Sequence, residues 1–191
     1  VKEDLNVALV VPRTEAEGPG VRYAIWVQGC PMRCEGCCNP EMLPFVERSR
    51  RSVDAIIKDA LAADVEGVTF LGGEPFSQAR ALADVAEAVR KHGLSVMVFS
   101  GYALEELRGM SDVDVDRLLR ATDLLVDGRY EAGLRTTSIR WIGSTNQVMH
   151  FLTPRYAPHD PRFRAPNHIE LRTDGRRYTL NGWPARGAKT R

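Results

Sequence analysis

The residues best equipped for chemistry are the four cysteines of the stretch 29–40, Gly-Cys-Pro-Met-Arg-Cys-Glu-Gly-Cys-Cys-Asn-Pro. Cys30, Cys34, Cys37 and Cys38 are all the cysteines the chain has. The first three are spaced C-x3-C-x2-C, and Cys38 follows Cys37 directly. Three chemistries use thiols this close together. A structural zinc ion takes four tetrahedral ligands. Neighbours such as Cys37 and Cys38 reach one such ion poorly, and His92, His150, His159 and His168 stand far along the chain. A thiol redox pair could be Cys34-x-x-Cys37, but it leaves Cys30 without a task. An iron–sulfur cluster suits thiolates best. An electron-transfer 4Fe–4S centre uses four cysteines; with three well placed here, one iron would stay open to a substrate or cofactor.

Such residues need a frame to hold them. Residues 22–28, RYAIWVQ, read as a strand feeding the cysteine loop. Residues 52–64 read as a helix: Ser52 can cap it, Asp54 favours its first turn, and Val53, Ile56, Ile57, Ala60 and Leu61 share one face. Residues 67–73 form a short buried strand, and 78–93 a helix with Leu82, Val85, Ala86 and Val89 inward and Gly93 just past its end. Residues 94–101 are the next strand, 103–108 and 113–121 one or two short helices, and 123–128 a further strand. This alternation predicts an α/β protein with a parallel sheet. Ligands of such sheets sit at the carboxyl ends of the strands. The cysteine loop, Gly72-Gly73-Glu74-Pro75, Ser100-Gly101-Tyr102 and Asp127-Gly128 follow the four strands in turn, so they would converge on one face.

After about residue 150 the pattern changes. Residues 153–168 contain four prolines and read as an irregular wrap, and 168–183 alternate around Asp174-Gly175 as a β-hairpin. The expected organisation is a core of residues 1–154 with a C-terminal extension, 155–191, packed on it.

C-x3-C-x2-C at the end of a first strand in a parallel βα protein resembles the radical S-adenosylmethionine (SAM) superfamily. The resemblance implies a partial (β/α) barrel and a [4Fe–4S] cluster held by Cys30, Cys34 and Cys37. SAM would chelate the open iron and be cleaved reductively to a 5′-deoxyadenosyl radical. Gly72-Gly73-Glu74 resembles the motif that holds the SAM amino group in that superfamily; two glycines let the backbone approach a ligand and a carboxylate accepts from an ammonium. Further blocks are similar to the glycyl-radical-enzyme activating proteins, among them those of anaerobic (class III) ribonucleotide reductase. They are Gly18-Pro19-Gly20-Val21-Arg22, the cluster loop with Gly36, SGYALEEL (100–107), LLVDGRYE (124–131) and RWIGSTNQ (140–147).

The resemblance implies that Ser100 and Tyr102 line the SAM pocket and that Asp127 places a carboxylate near SAM and substrate, though Asp127 also reads as a turn residue. Arg22 reads as the partner of a carboxylate near the cluster or as a solvated strand end. Trp26 and Trp141 read as core. Gly143, Ser144, Asn146 and Gln147 read as loop structure or a partner contact. The implied partners are a glycyl radical enzyme, or another protein or peptide substrate, and a flavodoxin- or ferredoxin-type electron donor; a homodimer is within the expectation. Two other readings stay open: a stand-alone enzyme modifying a peptide or small molecule, and a non-enzymatic electron carrier. Cys38 stands where these activators commonly carry an aromatic or histidine, and Leu71 where many have Ser; Cys38 reads as a free thiol near the cluster.

The bulk composition, 43% hydrophobic and 27% charged, is that of an ordinary soluble globular protein. No apolar run approaches the roughly 18 residues of a membrane span, and no signal peptide is visible, so the expectation is cytoplasmic. Net charge is +1, but residues 155–191 carry nine Lys/Arg against three Asp/Glu while residues 1–154 carry 17 against 22. The basic tail therefore packs on its own acidic body or meets an acidic partner. Scattered aromatics and the lack of a recognisable module argue against nucleic acid.

Overall fold

The computed structural model describes residues 3–167, 169–173, 175 and 178–183. Strands β1 (Leu5–Thr14), β2 (Arg22–Val27), β3 (Ser49–Arg51), β4 (Gly67–Gly72), β5 (Ser95–Phe99), β6 (Leu124–Asp127) and β7 (Val148–Phe151) form one sheet in the order β3-β1-β2-β4-β5-β6-β7. The four central strands, β2, β4, β5 and β6, run parallel. β1 and β3 extend the sheet antiparallel on one side and β7 on the other. Helices α1 (Val53–Ala62), α2 (Ala79–Lys91), α3 (Leu104–Gly109) and α4 (Val113–Ala121) lie in the crossovers. Strands β8 (Glu170–Thr173) and β9 (Tyr178–Asn181) make the expected hairpin; its turn residue Asp174, and His168 before it, lie outside the described residues. The expected parallel α/β sheet is present, and among the described residues β3 and β7 are its two edges. The βα alternation stops where β1 meets β2 antiparallel, and again where β7 returns beside β6.

The strands' two-residue period sorts the core. Tyr23, Ile25 and Val27, with Val68, Phe70, Val96, Val98 and Leu125, pack on Leu82, Val85, Ala86 and Val89 of α2 and Ile56 of α1. Ala24, Trp26 and Leu71 on the other face meet Val11 and Met42, while Met97, Leu124 and Val126 meet Trp141, Ile142 and Tyr156. Local signals set the helix ends. Ser52 Oγ accepts from Ala55 N at 3.2 Å, and Asp112 Oδ1 accepts from Asp114 N at 2.8 Å at the start of α4. Gly93, at φ +84°, takes the left-handed position after α2.

Arg22 corrects the sequence reading. It is neither solvated nor near the cysteines, because it opens β2 and Cys30 follows the other end, about 16 Å away for a strand of this length. It is fully buried and donates to Thr69 Oγ1 (3.0 Å), Ser95 Oγ (2.6 Å) and the Val68 carbonyl. Tyr156 joins the same network through Ser95 Oγ (2.7 Å) and donates to Glu66 (2.8 Å), which Arg162 also pairs at 3.0 Å. The basic residue Arg162 is thus matched by the acidic body. Arg22→Ala should lower the melting temperature by about 10 °C, since a buried polar network loses its centre at a cost of about 3–5 kcal/mol. Thermal unfolding read by circular dichroism checks this.

Candidate functional site

The loops after β2, β4, β5 and β6 are joined by hydrogen bonds into one rim. Gly73 N donates to Val27 O and Glu74 N to Gly29 O, both at 2.8 Å, so the end of β4 is fastened to the start of the cysteine loop. Glu74, 1% exposed, accepts from Phe76 N (3.0 Å), Ser100 Oγ (3.0 Å) and Gly101 N (2.8 Å). That carries the rim from β4 to β5. Ser100 N donates to Val126 O at 2.9 Å, and Gly128 N to Tyr102 O at 3.3 Å, which carries it to β6. Asp127, also buried, accepts from Leu104 N at 2.6 Å at the start of α3. The sequence-derived residues Gly72, Gly73, Glu74, Ser100, Tyr102 and Asp127 are therefore brought together with the cysteine loop.

Several of them also hold the rim itself together. A Cβ on Gly73 would lie 2.3 Å from Gly29 O, and one on Gly72 would lie 2.7 Å from Trp26 Cα. These glycines let two stretches of the chain's own backbone touch. Gly73→Ala should cost about 2–4 kcal/mol and displace the cysteine loop; lower iron per chain after anaerobic reconstitution, with a lower melting temperature, is the expected result. Glu74 spends its carboxylate on the chain's own donors. Burial, opposed by those hydrogen bonds, pushes its pKa up to about 7.

In the cysteine loop, Cys30 is buried, Cys34 and Cys37 are half-buried, and Cys38 is exposed. Burial raises Cys30, while the backbone N–H groups of Met32 and Arg33 point at its sulfur and pull the other way. Cys37 Sγ accepts from Asn39 N at 3.4 Å. The contact with Cys38 and the Asn39 N–H, against the effect of burial, bring its pKa down to about 6. Arg33 at φ +51° and Gly36 at φ +71° give the loop its curl. Among the described residues no three His, Cys, Asp or Glu side chains converge where a single ion would sit. A cubane cluster asks something different, since each of its cysteines holds a different iron. Three thiols on one curled loop, with backbone N–H groups aimed at two of the sulfurs, fit such a cluster, whose potential is set in part by these hydrogen bonds.

The 140–147 block is loop structure. Gln147 Oε1 accepts from Gly143 N (2.9 Å) and Nε2 donates to Gly128 O (2.8 Å); Asn146 Nδ2 donates to Arg129 O (2.8 Å). It pins the segment after β6. Trp26 and Trp141 lie in the core, as read. Two neighbours of the site were not foreseen. His150 Nε2 lies 2.9 Å from Asp127 Oδ2, within ion-pair range though out of line for a hydrogen bond; only the pairing of β7 with β6 places it there. Glu17 is buried and accepts from Gly182 N at 2.8 Å, and burial pushes its pKa up to about 7. Nothing in its local sequence marked it.

Residues 16–150 match the family described as "4Fe-4S single cluster domain". The anaerobic ribonucleoside-triphosphate reductase-activating protein of Escherichia coli (strain K12) is 30% identical over 161 residues, covering 78% of this chain and 99% of that protein. The chain belongs to this 4Fe–4S family of reductase-activating proteins. The protein of the same name from Pasteurella multocida (strain Pm70) is 31% identical over 160 residues, with the same coverage. A solved structure, QueE from Escherichia coli, overlaps 52% of each chain at 17% identity and a TM-score of 0.41. Family membership supports the iron–sulfur part of the sequence reading. No helix among the described residues is long and apolar enough to cross a membrane.

Proposed function

We propose that this chain is a radical SAM activase that takes a hydrogen atom from a glycine of a partner glycyl radical enzyme, an anaerobic ribonucleotide reductase. The observation that supports this reading most is the rim of hydrogen bonds that binds Gly72–Glu74, Ser100, Tyr102 and Asp127 to the loop of Cys30, Cys34 and Cys37. In this reading the three cysteines hold a [4Fe–4S] cluster, and the rim residues form the SAM pocket. When bound, cluster and SAM supply reductive cleavage and hydrogen-atom abstraction, chemistry that belongs to the cofactors. The chain binds, orients and excludes water. Gly72 and Gly73 bring the end of β4 against the cysteine loop, Glu74 locks β5 to it, and Asp127 fixes the start of α3. No general acid or base is required, because no proton is moved by the protein. The electron comes from a flavodoxin- or ferredoxin-type donor. The described part of the C-terminal extension packs on the 1–154 core as one folding body, a reading supported by the edge-on contacts of Phe163 with Trp141, Phe151 and Tyr156.

The test is electron paramagnetic resonance of an anaerobic ribonucleotide reductase incubated with reduced protein and SAM. A carbon-centred signal whose splitting collapses when the reductase is grown on [2-²H]glycine is the expected result. SAM cleavage with no radical on the reductase would favour the stand-alone catalyst.

A further inference from the structure

The segment between the cysteine loop and β3 is fastened to the start of that loop. Gly29 N donates to Met42 O (2.9 Å) and Cys30 N to Leu43 O (3.0 Å). Side chains fix the residues that follow. Gln28 Nε2 donates to Pro44 O (2.7 Å), Asn6 Nδ2 to Val46 O (2.9 Å), and Arg48 N to Asn6 Oδ1 (2.9 Å). The backbone of 42–48 is therefore held in one shape by β1 and by the end of β2.

What this frame presents is apolar. Pro44, Phe45 and Val46 are consecutive and exposed, Phe45 at 66% and Val46 at 48%. Single exposed apolar side chains are ordinary, but a run of three on a fixed backbone calls for a use. Phe45 lies against the cysteine loop itself, its Cδ1 2.7 Å from where a Cβ on Gly29 would stand. One peptide bond joins the residue under the ring to Cys30. With Phe76 and Gln28, Phe45 also lines an open cavity of about 420 Å³, so a knob and a hollow lie side by side. Glu47, Arg48 and Arg50, all exposed, follow it in the chain. An apolar centre with a polar rim is the anatomy of a protein–protein contact.

The position of the knob selects the partner. It is tied to β1 and to the end of β2, whereas the rim of Gly72–Glu74, Ser100, Tyr102 and Asp127 runs from β4 to β6. Because β2 lies between β1 and β4, knob and rim flank the cysteine loop on opposite sides. A reductase bringing its glycine to SAM must cover the rim. A protein seated on the knob reaches the Cys30 end of the loop and leaves the rim open.

We propose that Pro44, Phe45 and Val46 form the docking face for the one-electron carrier, a flavodoxin- or ferredoxin-type protein. This rests on the activase reading, which needs an electron from outside the chain. Phe45 seats in the carrier's surface and sets its redox group against Gly29 and Cys30. One electron passes: the carrier is oxidised by one and the cluster reduced by one, with no bond made or broken. A small, preorganised face suits such brief encounters, whose interfaces bury less than about 1,200 Å².

The probe is a flavodoxin. Its dissociation constant from the reconstituted full chain is read by titration calorimetry with the flavin oxidised. With the flavin photoreduced, stopped flow reads the rate at which the cluster reoxidises it. Phe45→Ala and Val46→Asp should each raise the dissociation constant and the half-saturating flavodoxin concentration at least tenfold. Both should keep wild-type iron per chain and wild-type 5′-deoxyadenosine release with dithionite. With dithionite, both should still place the radical on the reductase. The proposal is overturned if either variant binds flavodoxin and takes its electron like wild type, or if either loses iron or dithionite-driven release. It is overturned too if radical placement falls with dithionite, which would give the face to the reductase. Flavodoxin that neither binds nor reduces a wild type that dithionite reduces would equally overturn it. A wild type reduced by dithionite that releases no 5′-deoxyadenosine would instead remove the activase reading, while the flavodoxin titration still reports on the face.

Discussion

Replacing Cys30, Cys34 or Cys37 with Ala should each abolish cluster binding and lower 5′-deoxyadenosine release by more than about a hundredfold, or about 2.7 kcal/mol of barrier. Cys38→Ala should do neither. The contrast follows from the loop. Cys30 and Cys37 receive backbone N–H groups at sulfur, which suits a thiolate bound to iron. Cys38 is exposed at the surface of the loop, and its contact with Cys37 pushes its thiol up. Iron per chain and the visible absorption of the reconstituted protein check both halves. Full iron in any of the first three variants would contradict the ligand assignment, and loss of iron in Cys38→Ala would add a fourth ligand to it.

Glu74→Ala should be the second severe change. It leaves Phe76 N, Gly101 N and the Ser100 hydroxyl without their acceptor inside the rim. The expected cost is about 3 kcal/mol of stability, with 5′-deoxyadenosine release reduced about a hundredfold. Glu74→Gln should be milder, keeping one acceptor oxygen. It should also change the pH profile of the cluster-free protein. Burial raises the Glu74 pKa to about 7 from its usual 4.5. The folded state therefore holds a proton that the unfolded chain has lost. Glu74's contribution is complete below pH 4.5 and disappears as pH rises through 7. Glu17 acts in the same direction over the same range. Wild type should thus lose stability between pH 5 and 7.5, and Glu74→Gln should lose less of it, as read from urea midpoints. Equal slopes would show that Glu74 is ionised in the folded state.

The parallel strands were legible because burial on both faces makes continuous apolar runs, as in Gly67–Gly72 and Leu124–Asp127. Helices α1 and α2 were legible from one apolar face each and from Ser52 and Gly93 at their ends. β3 was not, since Ser49–Arg51 is three polar residues paired only by backbone, and β1, with register shifts after Val7 and Val11, breaks its own alternation. Once β1 and β7 were missed, the neighbours they bring, above all His150 beside Asp127, were out of reach. The membership of the rim could be read from strand ends alone. The contacts each member makes within the chain could not. Gly73 is forced by the carbonyl of Gly29 and Glu74 by donors on the next loop, contacts between segments tens of residues apart. Arg22 was the avoidable error: it begins the strand that the cysteines end, and strand direction alone places it at the far edge.

The most direct measurement is anaerobic. The protein is reconstituted with iron and sulfide, reduced with dithionite, given SAM, and its products separated by chromatography. Equimolar 5′-deoxyadenosine and methionine, dependent on Cys30, Cys34 and Cys37, is the result this account predicts. A protein that binds its cluster and still releases no 5′-deoxyadenosine, with strong reductant and the reductase both present, would contradict it and leave an iron–sulfur electron carrier.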